Sequence, residues 1–286
     1  MTVLTGPTNR RRRLGSDLRR LREERSLRLE EVASQLGVAP STLSRIETGK
    51  APTRTSYLAL MLDLYGVHDP DQRRGLMDLA REGQRKGWWV GSEDLLAAGT
   101  GNYLGLEAEA KEMRAFRAQI VHGLMRTPAY ARAVIAARQP DLGPEQVERL
   151  VEVGQRRQDV LGGSGPIRLR LILDESVLLR AVAPAEVMRE QLMHLVEAGA
   201  GSAVTIQVLK MSCASRVLPP MSFEVLSFAD PDDADVACGK GIRGQVLLEQ
   251  RAGEVQALAR LFEALSESAL SPGESAQLIG KVAAAL

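Results

Sequence analysis

A glycine at position 37 separates two short amphipathic segments, and this arrangement limits the fold of the N-terminal third more than any other feature. Val32 and Leu36 precede the glycine, and Leu43 and Ile46 follow it, each pair at helical spacing. Glycine often ends helices because it adopts the left-handed backbone conformation at little cost. The pattern predicts two short helices, joined by a sharp turn, whose apolar sides face a common core.

Similar boundaries divide the region around this pair into five predicted helices. The first begins near Leu14, the second covers residues 30–36, the third covers 40–49, the fourth covers 55–65, and the fifth covers 70–83. Pro40 and Pro70 suit the first helical position, because the amide hydrogen that proline lacks would have no partner there. The sequence therefore predicts a small all-α bundle.

Length and charge indicate two domains with different partners. The chain has 286 residues, more than a typical single domain. Residues 1–90 contain 17 Lys+Arg against 11 Asp+Glu, whereas the remainder contains 20 against 25. A basic front and an acidic back favour contact with phosphates at one end of the chain.

The second region predicts a sheet covered by helices. Ile167, Leu169, Leu171 and Leu173 alternate with polar residues, which is the period of a strand with one buried side. Further strands are predicted over 204–209, 223–228 and 235–238, and helices over 107–118, 127–137, 144–161, 186–198, 254–265 and 272–286. A helix between the first two strands predicts a crossover to a parallel neighbour.

The predicted fold is an N-terminal all-α helix-turn-helix bundle followed by an α+β domain, a mixed sheet with flanking helices. Residues 1–83 are assigned to a basic arm and the five-helix bundle, and residues 84–103 to a junction rich in glycine and tryptophan. Residues 104–286 are assigned to a regulatory, dimerisation or partner-binding domain.

The third helix carries the residues expected to contact DNA. The major groove admits one α-helix, provided that a second helix braces it. With Leu43 and Ile46 turned to the core, the polar side chains left to face base edges are Ser41, Thr42, Ser44 and Arg45.

Leu27 through Gly49, and above all the run Ser-Arg-Ile-Glu-Thr-Gly at 44–49, resembles the reading unit of XRE-type, phage-repressor-like regulators. The resemblance implies a structural ion pair between Arg22 and Glu47, favoured here over a role in base reading. It also implies phosphate contacts on residues after the reading helix, namely Thr48, Lys50 and Arg54.

One position departs from the family pattern. Where the family commonly has a glutamine at the start of the bracing helix, this chain has Leu29, and the neighbouring Arg28 is expected to replace its backbone contact.

The second region resembles the antitoxin-like domain that follows such readers in actinobacterial regulators. The runs that carry the resemblance are residues 123–132, 173–175, 188–192 and 208–209. His122 replaces an expected proline, and residues 234–244 depart from the pattern. The resemblance implies a small partner protein encoded nearby.

Several other patterns have a simpler interpretation beside a functional one. The arginine run at 10–13 is either a solvated tail or an arm that reaches a minor groove or phosphates. Gly239, Gly241 and Gly244 form a G-x-G-x-x-G pattern without a surrounding βαβ unit. Asp174-Glu175 is expected to cap a helix rather than to catalyse. No catalytic, cofactor or metal site is predicted.

The expected protein is therefore a cytoplasmic, non-enzymatic regulator that binds double-stranded DNA as a homodimer and does not span a membrane. Its second domain is expected to receive a protein or small-molecule signal. Two alternatives remain: an antitoxin that sequesters a small partner and regulates its own operon, and an enzyme that uses the second domain.

Overall fold

The computed structural model describes residues 8–84, 87–92, 94–162, 166–213, 219, 221–230, 233–241 and 245–286. The chain divides into two compact units. The first consists of the described residues up to Val90 together with Leu104–Glu109, and the second of Gly91–Tyr103 and Ala110–Leu286.

The first unit is built on five helices, as predicted. They are α1 (Thr8–Glu24), α2 (Leu29–Gln35), α3 (Pro40–Glu47), α4 (Thr55–Leu64) and α5 (Pro70–Gly83). Their apolar sides share one core, in which Leu18, Ala33, Leu43, Leu58 and Leu62 are fully buried. Burial of this shared face stabilises helices that are too short to be stable alone.

The first four of these helices end in the same way, with a residue in the left-handed conformation. Gly37, Gly49 and Gly66 take this position after α2, α3 and α4, and Ser26 takes it after α1 with φ of 57°. After α2, for example, the amide of Val38 donates to the carbonyl of Ala33. The Schellman pattern gives partners to carbonyls that a helix end would otherwise leave open.

The second unit is built on a mixed sheet. In the described residues its strands are β1 (Glu112–Arg117), β2 (Arg168–Asp174), β3 (Val204–Leu209), β4 (Phe223–Ser227), β5 (Val236–Lys240) and β6 (Val246–Glu249). Their order is β3-β2-β1-β4-β5-β6. The first three strands are mutually parallel, including the predicted β2–β3 pair, and the others join antiparallel.

Helices flank this sheet. They are α7 (Pro128–Arg138), α8 (Pro144–Arg157), α9 (Glu175–Leu179), α10 (Ala185–Gly199), α11 (Ala252–Ser268) and α12 (Pro272–Ala284), while α6 (Thr100–Glu109) contributes residues to both units. The predicted fold class, a helical helix-turn-helix bundle followed by a mixed sheet with flanking helices, is confirmed.

Three predictions of local structure were wrong or incomplete. Residues 107–118 are not one helix, because α6 ends at Glu109 and the next segment is the central strand β1. Strand β1 pairs with β2 on one side and β4 on the other, and its residues Met113, Ala115 and Phe116 are buried. The edge strand β6 was not predicted, and of the short helix α9 only the cap at Asp174 was predicted.

None of the helices that the structure describes is both long enough and apolar enough to span a bilayer.

Candidate nucleic-acid interface

The turn between α2 and α3 fixes the angle of the two helices. Gly37 has φ of 65°, and its amide donates to the carbonyl of Ser34 at 3.1 Å. The amide of Val38 donates to the carbonyl of Ala33 at 3.0 Å. Val38, in the turn between the two helices, packs against the core of the unit.

Both helices hold their predicted apolar sides against the core. Val32 and Ala33 on α2, and Leu43 and Ile46 on α3, are at most 3% exposed. The opposite side of α3 is open to solvent. Helix α3 is therefore held against the core by its apolar side, and its polar side is exposed to solvent.

The C-terminal end of α3 lies unusually close to α1. A Cβ atom added to Gly15 would lie 2.5 Å from the carbonyl oxygen of Ile46 and 2.6 Å from that of Glu47. A Cβ added to Gly49 would lie 2.8 Å from the Cα of Arg12. The role of Gly15 was not predicted, although a glycine inside an amphipathic helix is a signal of close backbone approach.

A buried ion pair joins α1 to α3. Arg22 Nε donates to Glu47 Oε1 at 2.7 Å and Arg22 Nη2 donates to Glu47 Oε2 at 2.9 Å. The residues are 9% and 7% exposed. The hydrogen bond to Glu47 raises the pKa of Arg22, so its guanidinium stays charged. The structure thus brings together the two residues assigned to a structural pair, and it turns both away from solvent.

Arg22 also fixes the loop before α2. Its Nη1 donates to the carbonyl of Leu27 at 2.9 Å. The same guanidinium therefore holds the end of α1, the entry to α2 and the end of α3. A forked, planar donor can make these contacts at once, and a lysine cannot.

The eight residues predicted to contact DNA are all exposed. They are Arg28, Ser41, Thr42, Ser44, Arg45, Thr48, Lys50 and Arg54. Ser41, Thr42, Ser44 and Arg45 lie on α3, Thr48 ends that helix, and Lys50 and Arg54 lie in the segment before α4.

Two of these residues also have local structural contacts. Arg28 precedes α2, and its backbone amide donates to Glu31 Oε2 at 2.9 Å, while its side chain extends into solvent. The hydroxyl of Thr48 donates to the carbonyl of Ser44 at 2.8 Å. The backbone amide of Thr48 donates to the same carbonyl at 3.0 Å, so a contact with a phosphate would go through a water that donates to the hydroxyl oxygen.

Charge pairing distinguishes the edge of α3 from the rest of the unit. The exposed arginines on α1 and α5 are paired with nearby acids: Arg19 with Glu23, Arg20 with Glu24, Arg74 with Asp71, and Arg81 with Asp78. The exposed Arg25, which follows α1, donates instead to the carbonyl of Gly66. By contrast, Arg28, Arg45, Lys50 and Arg54 have no carboxylate within 4 Å in the described parts of the chain. Unpaired cations in this arrangement create a positive surface suited to phosphates.

The arginine run is part of a helix rather than an extended arm. Residues 10–13 lie in the first turns of α1 and are half-buried. Arg10 forms ion pairs with Glu82 and Glu109, and Arg11 Nε donates to the carbonyl of Gly83. These contacts hold the arginine run within the helix. Residues 1–7, where an arm would begin, lie outside the described residues.

Two family models match the chain. One, described as a helix-turn-helix domain, matches residues 13–76. The other, described as Domain of unknown function (DUF5753), matches residues 100–281, which is well over half of the chain. The chain belongs to the DUF5753 family. No curated protein and no solved structure matches it. The helix-turn-helix match agrees with the geometry of α2 and α3 and confirms the prediction of a helix-turn-helix DNA-binding regulator.

Two of the three glycines in the pattern of this DUF5753 protein lie where β5 leads to the antiparallel strand β6. Gly239 belongs to β5, and the amide of Gly241 donates to the carbonyl of Gln245 at 2.9 Å just before the antiparallel strand β6. Gly244 lies outside the described residues. Since a strand rather than a helix follows, the pattern lacks the helix N-terminus on which a pyrophosphate would rest.

The carboxylate pair of the DUF5753 domain is used structurally. Asp174 caps α9 by accepting from the amide of Ser176 at 3.0 Å, and Glu175 Oε2 accepts from the amide of Met211 at 2.9 Å. Among the described residues, no group of three or more His, Cys, Asp or Glu side chains is placed to hold a metal ion.

A buried polar cluster in the DUF5753 domain was not predicted. His122 Nδ1 accepts from the amide of Leu124 at 3.1 Å, so Nε2 carries the proton and donates to Glu224 Oε1 at 3.2 Å. Tyr103 donates to Glu224 Oε2 at 2.6 Å, and Arg117 forms an ion pair with the same carboxylate. Burial lowers the pKa of His122 well below its usual value, and the charge of Arg117 acts in the same direction.

Proposed function

We propose that this protein is a sequence-specific, XRE-type transcription regulator that reads the major groove of its operator with α3. The observation that carries the proposal is the contrast in charge pairing: cations around α3 have no carboxylate in the described residues, whereas the exposed arginines on α1 and α5 do. The rigid fixation of α3 by the core and by the Arg22–Glu47 pair supports it.

The proposal divides the exposed residues into two roles. Ser41, Thr42, Ser44 and Arg45 lie along α3 and face base edges, where short hydroxyl side chains allow close approach and a guanidinium suits guanine. The phosphate contacts fall to residues at the ends of the motif, namely Arg28, Thr48, Lys50 and Arg54. Base contacts specify sequence and phosphate contacts set the register.

The larger assembly follows from the same proposal. Binding as a homodimer would place two copies of α3 about 34 Å apart, in adjacent major grooves on one side of the duplex. In this proposal the DUF5753 domain is non-enzymatic and receives the signal that alters operator affinity, and the protein acts in the cytoplasm, where the chromosome lies. Its carboxylate pair at Asp174 and Glu175 is occupied in structural contacts, which supports a role other than catalysis.

The decisive experiment combines genome-wide capture of bound DNA with affinity measurements on the recovered operator and on random duplex. Arg45→Ala should weaken operator binding by about ten-fold to one hundred-fold and leave random DNA almost unchanged, because a lost base contact costs roughly 1–3 kcal/mol. Lys50→Ala should weaken both duplexes alike, because a phosphate contact carries no sequence information.

Arg19→Ala serves as the matched control, because Arg19 is an exposed arginine on α1 that already pairs with Glu23. It should change neither affinity. Equal losses on operator and random DNA for Arg45→Ala would refute base reading by α3. Failure of the capture to recover any enriched sequence would refute sequence-specific binding. Co-purification of a small protein in that case would favour the alternative function, an antitoxin that sequesters a partner protein.

A further inference from the structure

A cavity of about 310 Å³ lies in the second unit, beyond the carboxyl ends of β1 and β2. Its walls combine four aliphatic side chains with Gln119 and two arginines. The aliphatic residues are Ile120, Val134, Ala137 and Val182, and the arginines are Arg138 and Arg180.

Three segments meet at this cavity. The chain leaving β1 at Arg117 supplies Ile120, helix α7 supplies Val134 and Arg138, and the chain leaving α9 supplies Arg180. Strands β1 and β2 are parallel neighbours, so their carboxyl ends lie at the same edge of the sheet. In sheets with parallel strands, ligands bind outside this edge, where loops rather than ladder hydrogen bonds shape the surface.

The two arginines give the cavity an unbalanced positive charge. Arg138 and Arg180 are exposed, and neither has a carboxylate within 4 Å in the part of the chain that the structure describes. Their guanidinium groups are therefore available to a ligand. A phosphate or carboxylate is the partner that a guanidinium binds with two parallel hydrogen bonds.

Arg126, whose charge interacts with that of Arg138, adds further positive charge. Arg126 is half-buried, and its Nε donates to the carbonyl of Val121 at 2.9 Å, with no described carboxylate against it. Burial lowers the pKa of Arg126, and the charges of Arg138 and Arg157 act in the same direction. An anion in the cavity would reduce this repulsion.

We propose that the cavity is a binding site for a small amphipathic organic anion. The apolar body of this ligand would contact Ile120, Val134 and Val182, and its carboxylate or phosphate would bind Arg138 and Arg180. The volume is at the lower end for small-molecule sites, which are typically about 300–1,000 Å³, and therefore favours a short body. The apolar lining is aliphatic, which favours an alkyl chain over an aromatic base.

Calorimetry on the full-length protein tests the site with octanoate and octyl phosphate as probes and octanamide as the uncharged analogue of octanoate. We expect one saturable site per chain for the anions, with octanamide bound at least about ten-fold more weakly, because it lacks the charge-assisted contacts. The tighter of the two anions identifies whether the natural head group is a carboxylate or a phosphate.

Variants separate this site from non-specific binding of an amphiphile. Arg138→Gln and Arg180→Gln should each weaken octanoate binding by about ten-fold, and Ala137→Phe, on the exposed side of α7, should abolish it by filling the cavity without a change in charge. Arg168→Gln is the matched control: Arg168 is also exposed without a described ion pair, but it lies at the opposite end of β2. It should bind octanoate like the parent protein.

No saturable binding of either anion, or equal binding of octanoate and octanamide, would overturn the proposal. So would octanoate binding that is insensitive to all three cavity variants. The assay contains no DNA, so its failure would leave operator binding by α3 unaffected, and failure of operator binding would leave this result unaffected.

Discussion

Arg22 and Glu47 are 25 positions apart in sequence and form a two-point contact in a site from which water is largely excluded. Such a pair adds little net stability compared with apolar residues of the same shape, but removal of one partner leaves a buried charge uncompensated. Its value here is geometric, because it fixes the end of α3 to α1.

Glu47→Ala should therefore lower the free energy of unfolding of the first unit by about 3–5 kcal/mol, since Arg22 would remain buried without its carboxylate. Hydrogen exchange on peptides from α1 and α3, measured by mass spectrometry, reports this local stability in the full chain. Glu24→Ala is the control, because the ion pair of Glu24 with Arg20 is exposed and worth less than about 1 kcal/mol. Equal effects of the two substitutions would show that the buried pair does not fix α3.

Ser26 takes the left-handed position that glycine takes after the next three helices. The amide of Leu27 donates to the carbonyl of Arg22 at 3.1 Å, so the cap itself is formed. A side chain at such a φ costs roughly 1–2 kcal/mol.

Ser26→Gly should raise the stability of the first unit by about 1 kcal/mol, because glycine adopts this conformation without the Cβ penalty. Gly37→Ala is the reverse test, since a Cβ at Gly37 meets no atom within 4 Å and only the backbone conformation is penalised. It should lower stability by a similar amount in the same hydrogen-exchange measurement. A destabilising Ser26→Gly would contradict the cap assignment.

At the scale of elements, the close approach of α1 to α3 depends on Gly15. A Cβ there would overlap backbone carbonyl oxygens of α3, which cannot rotate away as the end of a flexible side chain can. The absence of a side chain at one position therefore determines how near the two helices lie.

Gly15→Ala should destabilise the first unit by about 1–3 kcal/mol through this overlap and should weaken DNA binding by displacing α3. Gly75→Ala is the control within α5, where an added Cβ meets no atom within 4 Å. That change should stabilise by about 0.5–1 kcal/mol, since alanine favours a helix interior. If both glycine replacements stabilised the unit, the described contact between α1 and α3 would be wrong.

Local signals predicted the first unit well, and long-range contacts limited prediction in the second. Gly37, Gly49 and Pro40 mark helix ends through their own backbone chemistry, so the sequence alone placed α2 and α3. Strand β1 was mistaken for a helix because its partners β2 and β4 lie far along the chain, and pairing overrides local propensity. Strand β6 is short, and its formation likewise depends on pairing with β5.

The candidate DNA site was predictable for the same reason. The exposed residues of α3 follow from helical spacing once Leu43 and Ile46 are assigned to the core. The His122–Glu224 contact and the cavity between β1, α7 and the chain after α9 join residues that are distant in sequence. No local pattern indicates them, so only the folded chain reveals them.

At the scale of the whole molecule, the sequence separates a basic front from an acidic back. The structure places unpaired cations around α3 in the first unit and two unpaired arginines at a cavity in the second. In the proposed function, the first set contacts DNA and the second set receives a small anion.

The central claim is that α3 enters the major groove, and methylation interference on the operator tests it most directly. Methyl groups on guanine N7 obstruct the major groove, and those on adenine N3 obstruct the minor groove. We expect N7 methylation to block binding at two clusters of guanines one helical turn apart, about 34 Å. In Arg45→Ala, methylation of the guanine that Arg45 contacts should no longer interfere with binding. Interference from adenine N3 alone, or none at either groove, would contradict the account.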